Sequence, residues 1–194
     1  MTKLRLAIVG AGPAGIYAAD ILLKAERKFD VSIDLFDHLP APYGLVRYGV
    51  APDHPRIKGI IASLHRVLDT PTIRLLGNIH IGEDITIAQL HEYYDAVLLA
   101  TGAVADRDLD IPGIDAPESY GGADFVSWYD GHPDYPRTWP LEAKEIAVIG
   151  NGNVALAVVY AGLRSIERSG QAVKLADIIA EAHERLAKGS RHVA

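Results

Sequence analysis

The turn after the first apolar run carries three glycines with the spacing of a dinucleotide-binding turn. Residues 4–9 are rich in Leu, Ile and Val, and Gly10-x-Gly12-x-x-Gly15 follows them directly. In such a turn the first glycine permits a sharp bend, the second lets a diphosphate approach the backbone, and the third lets strand and helix pack closely. The helix that follows would offer free N–H groups and the positive end of its dipole to the diphosphate.

The chain after this turn completes a βαβ unit. The spacing of apolar residues predicts a helix over 16–28, and a second β-branched run over 31–36 ends at Asp37. The crossover between the two strands should be right-handed. An acidic residue at that position is typical of a group that accepts hydrogen bonds from ribose hydroxyls. We therefore predict dinucleotide binding, and the alternative is a plain strand–helix turn beside a solvated Asp37.

Composition narrows the classes of protein that fit this unit. Of the 194 residues, 49% are apolar and 23% are charged, which is typical of a globular domain. The formal net charge of −6 provides no basic surface for nucleic acid. There is no cysteine, so thiolate nucleophiles, disulfides and Cys-ligated metal clusters are excluded within the chain. No apolar run reaches the roughly 18 residues of a membrane span.

The middle of the chain is typical of an α/β domain with one long loop. Pro and Gly punctuate residues 38–55, and a loop of that length in a compact domain usually binds something. The further predicted elements are a helix over 56–68, a strand over 73–81, a short helix over 87–94, a strand over 95–100 and a short helix near 123–129. The eight histidines do not pair at i, i+4 on a convincing helix face, so we predict no metal site.

The opening pattern returns near residue 145. A predicted strand over Glu145–Ile149, the turn Gly150-x-Gly152-x-x-Ala155 and a helix over 154–168 repeat the dinucleotide pattern with alanine in the third position. The alternative is a strand–helix turn without a ligand. A further helix is predicted over 174–188, followed by the first residues of a strand. We expect an α/β protein with one Rossmann-like domain over residues 1–104, a connector over 105–144 and the start of a second Rossmann-like domain over 145–194.

The long loop resembles one particular family. Residues 41–55 read APYGLVRYGVAPDHP and are similar to the signature loop of adrenodoxin-reductase-like ferredoxin–NADP+ reductases. The resemblance runs from Leu6 to about Ala155. It includes residues 77–82 (GNIHIG), 98–103 (LLATGA), 111–113 (IPG) and 125–129 (FVSWY).

The resemblance implies that the first domain binds FAD. By position, the family's FAD contacts match Ala14, Asp37, Leu45 and Ile81, besides the turn glycines Gly10, Gly12 and Gly15. Leu45 and Ile81 would act mainly through their backbones and could serve as ordinary core residues as well. Thr101 and Gly102 resemble the segment that lies close to the flavin in flavoproteins with two dinucleotide folds.

His54 is the candidate catalytic residue of this loop. The resemblance places it near the flavin as a proton or hydrogen-bond partner, since imidazole titrates near neutral pH. The alternative is a histidine that stabilises the loop by bonding to nearby backbone, because flavin chemistry needs no protein base.

The second glycine turn resembles the NADPH site of the family. Asn151, Gly152, Asn153 and Val154 match the residues that contact the pyrophosphate of the nicotinamide nucleotide. The chain ends before the position of the paired arginines that select NADPH over NADH, so that selection stays open. We expect a truncated part of a reductase.

The resemblance implies a flavoprotein oxidoreductase that passes electrons from NADPH through FAD to a ferredoxin-type iron–sulfur protein. The alternative is a truncated, non-catalytic FAD-binding fragment, or the flavoprotein subunit of a larger electron-transfer complex. No nucleic acid or membrane is expected as a partner. The start of the chain lacks a signal-peptide cleavage site, and the expected location is the cytoplasm.

Overall fold

The structure, a computed structural model, describes residues 3–26, 28–50, 55–103, 106, 109–136, 138–139, 146–150, 152 and 154–155. The chain divides into two compact units, Met1–Arg137 and Thr138–Ala194. Three predicted site residues lie outside the described residues: His54, Asn151 and Asn153. The predicted helix over 174–188 and most of that over 154–168 lie outside them too. The predicted domain boundaries at 104/105 and 144/145 stay predictions.

The first unit is built on a parallel sheet. Its strands are β1 (Lys3–Val9), β2 (Asp30–Phe36), β3 (Ile73–Leu76) and β4 (Ala96–Leu99). They lie in the order β3-β2-β1-β4, and every neighbouring pair is parallel. The helices are α1 (Pro13–Lys24), α2 (Leu45–Tyr48), α3 (Pro55–Lys58), α4 (Ile61–Leu68), α5 (Ile87–Tyr93) and α6 (Gly122–Tyr129).

Apolar side chains cover both faces of the sheet. On one face, Ile8 and Ile33 pack with Ile16 of α1 and Leu64 of α4, and all four are fully buried. On the other face, Ala7, Val9 and Phe36 pack with Leu90 of α5. Burial on both faces explains why the second half of β1 and most of β2 are near-continuous apolar runs rather than alternating ones. β4 is also an apolar run, but Leu98 and Leu99 are exposed.

The structure departs from the predicted elements at four places. The helix predicted over 56–68 is divided into α3 and α4, because residues 59–60 form a turn. The strand predicted over 73–81 ends at Leu76, because Asn78 adopts a left-handed φ of 59° that no strand continues through. A single parallel bridge between Ile81 and Ile85 follows it. The loop contains the short helix α2, which the sequence did not predict. The strand predicted over 145–149 is not seen, because the described residues 146–150 have no strand pairing.

A buried carboxylate links three strands and α5. Asp34 of β2 accepts two hydrogen bonds from Arg74 of β3, Nε to Oδ1 at 2.7 Å and Nη2 to Oδ2 at 2.6 Å. The Tyr94 hydroxyl, directly after α5, donates to Asp34 Oδ2 at 2.6 Å. The Arg5 guanidinium of β1 lies 4.9 Å above the Tyr94 ring. Burial alone would raise the pKa of Asp34, but the hydrogen bonds from Arg74 and Tyr94 and the charge of Arg74 outweigh burial and lower that pKa.

We expect Tyr94→Phe to lower the free energy of unfolding at neutral pH by about 1–2 kcal/mol, because it removes one donor from a buried carboxylate. Because the pKa of Asp34 is lowered in the folded state, its stabilisation is present above the unfolded-state value of about 3.9 and is lost as pH falls through the folded value. The difference in free energy of unfolding between wild type and Tyr94→Phe should therefore become smaller in acid. Urea unfolding at a series of pH values measures this.

Tyr93→Phe is the matched control for that measurement, since the Tyr93 side chain is 62% exposed. It should leave the free energy of unfolding within about 0.5 kcal/mol of wild type. Equal losses in the two variants, or a Tyr94→Phe loss that does not change with pH, would contradict the role given to Asp34.

Candidate functional site

The carboxyl ends of all four strands lie along one edge of the sheet. The register pairs Val9 with Phe36 and with Leu99, and Phe36 with Leu76, which are the last residues of their strands. The chain proceeds from β1 to β2 and β3 on one side of β1, whereas β4 lies on the other side. In open parallel sheets ligands bind outside the carboxyl ends at such a reversal of strand order. The candidate site is therefore the edge next to Gly10.

Two glycines of the first turn are required by packing. Gly10 has φ +112°, and a Cβ there would strike the Ala100 carbonyl that follows β4. A Cβ on Gly15, in α1, would strike the Gly10 carbonyl. Backbone therefore touches backbone at both positions, and the turn lies tightly between β1, α1 and the end of β4.

Gly12 is different from these two glycines. Its φ of −76° is open to any residue, and a Cβ built there would meet no atom of the described residues within 4 Å. The protein's own packing therefore gives no reason for glycine at this position. The space above Gly12 can receive a group that must approach the backbone closely, as a diphosphate does.

The N-terminus of α1 faces the same space. Pro13 is its first residue, Gly12 caps it without a side chain, and the first turn contains no acidic residue. The first N–H groups of a helix have no acceptor within the helix, and they carry the positive end of its dipole. Ala14 is exposed in this turn, so its small side chain leaves the N-terminus accessible to an anion.

Asp37 ties the turn to the end of β2. Its side chain is 8% exposed, so the alternative of a solvated carboxylate is wrong. Oδ2 accepts from Ala11 N at 2.7 Å, and Oδ1 accepts from Leu39 N at 2.9 Å. A carboxylate has about four acceptor positions. Asp37 therefore stabilises the turn and keeps acceptor capacity next to the space above Gly12.

The long loop packs against the backbone of the glycine turn. Tyr43 N donates to Ala11 O at 2.8 Å, and a Cβ on Gly44 would come within 3.3 Å of Gly12 Cα. Gly44 has φ +47° and Tyr43 φ +90°, so the backbone is strained where it passes the turn. The Tyr43 hydroxyl lies 2.9 Å from His65 Nδ1 of α4, which anchors the loop to the helix layer.

Cations hold the far end of this loop. Arg47 Nε donates to Pro42 O at 3.0 Å, and its guanidinium lies 5.1 Å from the Tyr43 ring centroid. Lys58 Nζ donates to Arg47 O at 3.1 Å and lies 3.4 Å from Asp130 Oδ1. Burial raises the pKa of Asp130 in spite of the nearby Lys58 charge. These contacts connect α2, α3 and the end of α6.

The structure brings some of the predicted site residues together and leaves others apart. Around the glycine turn lie Gly10, Gly12, Ala14, Gly15, Asp37 and, after β4, Thr101 and Gly102. Leu45 begins α2 with 57% of its side chain exposed, and Ile81 lies half-buried beyond β3. Gly152 and Val154 belong to the second unit. There Gly150 has φ +134°, and a Cβ on Gly152 would meet none of the described residues within 4 Å, as at Gly12.

Several residues near the site were not predicted to contribute. Tyr43 and His65 form the loop anchor described above. His132 packs against the Tyr48 ring, with centroids 5.0 Å apart, and burial lowers the pKa of its imidazole. His38 and Asp134 lie beside it. Because these residues are distant in sequence, no spacing could have grouped them.

Comparisons with known proteins give the family. The model of the family described as pyridine nucleotide-disulphide oxidoreductase matches residues 4–188. An NADPH-ferredoxin reductase FprA of Mycobacterium leprae is 48% identical over 157 residues, covering 79% of this chain and 34% of its own length. A mitochondrial NADPH:adrenodoxin oxidoreductase of Arabidopsis thaliana is 46% identical over 163 residues, covering 83% of this chain and 33% of its own length.

A solved structure shares the fold. The structure of Mycobacterium tuberculosis FprA in complex with NADPH superposes with a TM-score of 0.76 at 46% identity, over 81% of this chain and 36% of that one. The predicted α/β Rossmann-like fold and the resemblance to ferredoxin reductases are therefore confirmed. The chain spans about a third of the length of the curated relatives it matches.

Two of the predictions concerned membranes and the cellular location of the protein. Among the described residues, no helix has the length and apolar character needed to cross a membrane. The cytoplasmic location stays a prediction, since one of these relatives is named mitochondrial. With a family model matched over residues 4–188 and a fold shared with a solved FprA, the chain belongs to the pyridine nucleotide-disulphide oxidoreductase family.

Proposed function

We propose that this chain forms the FAD-binding part, and the beginning of the NADPH-binding part, of an oxidoreductase that passes electrons from NADPH through FAD to a ferredoxin-type iron–sulfur protein. The observation that carries the proposal is the open space above Gly12 at the N-terminus of α1. The names of the relatives, which mention NADPH, ferredoxin and adrenodoxin, support the direction of electron transfer.

The residues of the first unit fit an FAD molecule by the chemistry of their donors and acceptors. The free N–H groups of the first turn of α1, at Ala14 and Gly15, would hold the diphosphate over Gly12. Asp37 would accept hydrogen bonds from a ribose with the acceptor capacity that Ala11 and Leu39 leave.

The other predicted contacts would complete this FAD site. The backbones of Leu45 and Ile81 would line it, and Thr101 with Gly102 would lie towards the flavin. When bound, FAD supplies the acceptance of a hydride and the release of single electrons, while the protein binds and orients the cofactor. His54, outside the described residues, keeps its two interpretations: a hydrogen-bond partner near the flavin, or a residue that stabilises the loop.

The second glycine turn would take the nicotinamide nucleotide. Gly150 in a left-handed conformation and the open space at Gly152 repeat features of the first turn. Asn151, Gly152, Asn153 and Val154 would contact the pyrophosphate of NADPH. The chain contains no cysteine, so none of its own residues could act as a redox-active thiol. The proposed pathway runs from the nicotinamide nucleotide to the flavin and then to an external acceptor.

We expect Gly12→Ala and Gly15→Ala to fail in different ways. At Gly12 the new Cβ enters the space proposed for the diphosphate and touches no atom of the part of the chain that the structure describes, so the apo fold should keep its stability while the Kd for FAD rises about tenfold or more. At Gly15 the new Cβ strikes backbone, so the apo fold should lose about 1–3 kcal/mol. Urea unfolding of apo protein and titration by flavin fluorescence measure the two effects. Unchanged FAD affinity in a folded Gly12→Ala protein would remove the diphosphate from this turn.

Reduction of the flavin by NADPH distinguishes a catalytic reductase from a non-catalytic FAD-binding fragment. We expect the chain, loaded with FAD and freed of excess cofactor, to keep visible flavin absorbance and to lose it when NADPH is added without oxygen. Gly152→Ala is the matched variant, because it should keep the flavin but slow the reduction. Retained flavin that NADPH does not bleach would favour the non-catalytic fragment. A folded protein that retains no flavin would overturn the proposal.

A further inference from the structure

Two histidines and a carboxylate meet at the edge of the first unit. His38 follows Asp37 at the end of β2, and His132 and Asp134 lie in the turn after α6. Each offers one ligand atom, and the three atoms lie within 4.8 Å of one another. His38 Nε2 is 3.6 Å from Asp134 Oδ2, and His132 Nδ1 is 4.0 Å from the same oxygen. The fold therefore brings together residues that are far apart in the sequence, His38 on one side and His132 with Asp134 on the other.

Backbone hydrogen bonds fix the position of His132. After α6, Gly131 takes φ +73°, Gly131 N donates to Trp128 O at 3.1 Å, and His132 N donates to Ser127 O at 2.8 Å. These two bonds are those of a Schellman motif, which ends a helix in one defined conformation. The ring of His132 also packs against Tyr48 and Tyr135, with centroids 5.0 and 5.1 Å away. His132 is thus placed before any ligand arrives.

The two nitrogens of the His38 ring lie near different carboxylates. Its Nδ1 lies 3.5 Å from Asp37 Oδ1, while its Nε2 faces Asp134. Asp37 is fixed by the amides of Ala11 and Leu39. A carboxylate behind a histidine is the usual arrangement around protein-bound metals, because it orients the ring and raises the basicity of the ligating nitrogen.

His132 Nδ1 accepts a hydrogen bond from the backbone of Asp134, another member of the cluster. Asp134 N donates to His132 Nδ1 at 3.2 Å, which requires that this nitrogen carry no proton. A metal ion at Nδ1 would replace that hydrogen bond. Nearby, the edge of the His38 ring packs against His80, with centroids 5.7 Å apart. The two imidazoles and the Asp134 carboxylate thus offer three ligand atoms within 4.8 Å of one another.

The spacing suits a transition-metal ion. Zn²⁺ binds imidazole nitrogen and carboxylate oxygen at about 2.0–2.2 Å, so tetrahedral ligand atoms lie roughly 3.3 Å apart. The separations of 3.6 and 4.0 Å to Asp134 Oδ2 exceed this spacing by less than about 1 Å, and the limit of 4.8 Å for all three pairs exceeds it by about 1.5 Å, so the ligands would have to move together on binding. Asp134 is 58% exposed and can rotate inwards, and its exposure leaves a path for the ion and a position for water.

We propose that His38, His132 and Asp134 bind one divalent transition-metal ion of the zinc type. The ion would connect the segment after β2 to the turn after α6, directly behind Asp37. Its effect is structural, since it would hold two segments of the first unit together at the edge that carries the glycine turn. The proposal departs from the sequence prediction of no metal site. It does not depend on the proposed redox function.

The test is Zn²⁺ binding to the full chain, without an affinity tag and after treatment with EDTA. Competition with a chromophoric chelator should give one equivalent of bound Zn²⁺, and Zn²⁺ should raise the thermal midpoint. Co²⁺ should give the visible absorbance of a low-symmetry site. His38→Gln and His132→Gln should each weaken Zn²⁺ binding about tenfold or more and abolish the thermal shift.

His91→Gln is the matched control, since His91 is an exposed histidine of α5 and should leave both readouts unchanged. Asp134→Asn removes a ligand charge at an exposed position and should weaken binding even if a histidine variant fails to fold. Absence of stoichiometric Zn²⁺ binding by the wild type would overturn the proposal. Equal Zn²⁺ affinity in the wild type and in folded His38, His132 or Asp134 variants would overturn it as well.

Discussion

The close contact of backbone with backbone at the turn after β1 is the constraint on which the rest of the structure depends. Gly10 lies against the Ala100 carbonyl, and Gly15 lies against the Gly10 carbonyl, so no side chain fits at either place. This contact brings the N-terminus of α1 to the carboxyl edge of the sheet. It leaves Gly12 as the one glycine of this turn whose lack of a side chain serves no packing contact.

Other parts of the first unit are arranged around that turn. Asp37 contacts the turn from the β2 side, and Tyr43 and Gly44 of the long loop contact its backbone. The strain at Tyr43, with φ +90°, is offset by the hydrogen bond from its amide and by the contact of its hydroxyl with His65. A rigid, partly strained cradle of this kind is what preorganised binding of a large cofactor requires, because little ordering remains to be done on binding.

Much of the fold could be predicted from the sequence, because a strand buried on both faces is a run of apolar residues. β1 and β2 were predicted within a few residues for that reason, and β4 was predicted equally well from its apolar run although Leu98 and Leu99 are exposed. β3 was extended too far, since Ile79 and Ile81 continue the apolar pattern while Asn78 turns the backbone away. The short helix α2 escaped prediction because Pro and Gly dominate its surroundings. The site was predictable where it is local, as at Gly10 to Gly15. The parts of the candidate site that tertiary contacts create, such as Tyr43 with His65 or His38 with His132, could not be predicted from the sequence.

The central claim is that the N–H groups at the start of α1 hold a diphosphate above Gly12. A crystal structure of the chain with FAD tests it most directly. We expect diphosphate oxygens at about 3 Å from the backbone nitrogens of Ala14 or Gly15, on the open side of Gly12. FAD bound elsewhere on the chain, or the space above Gly12 filled by the protein's own side chains, would contradict it.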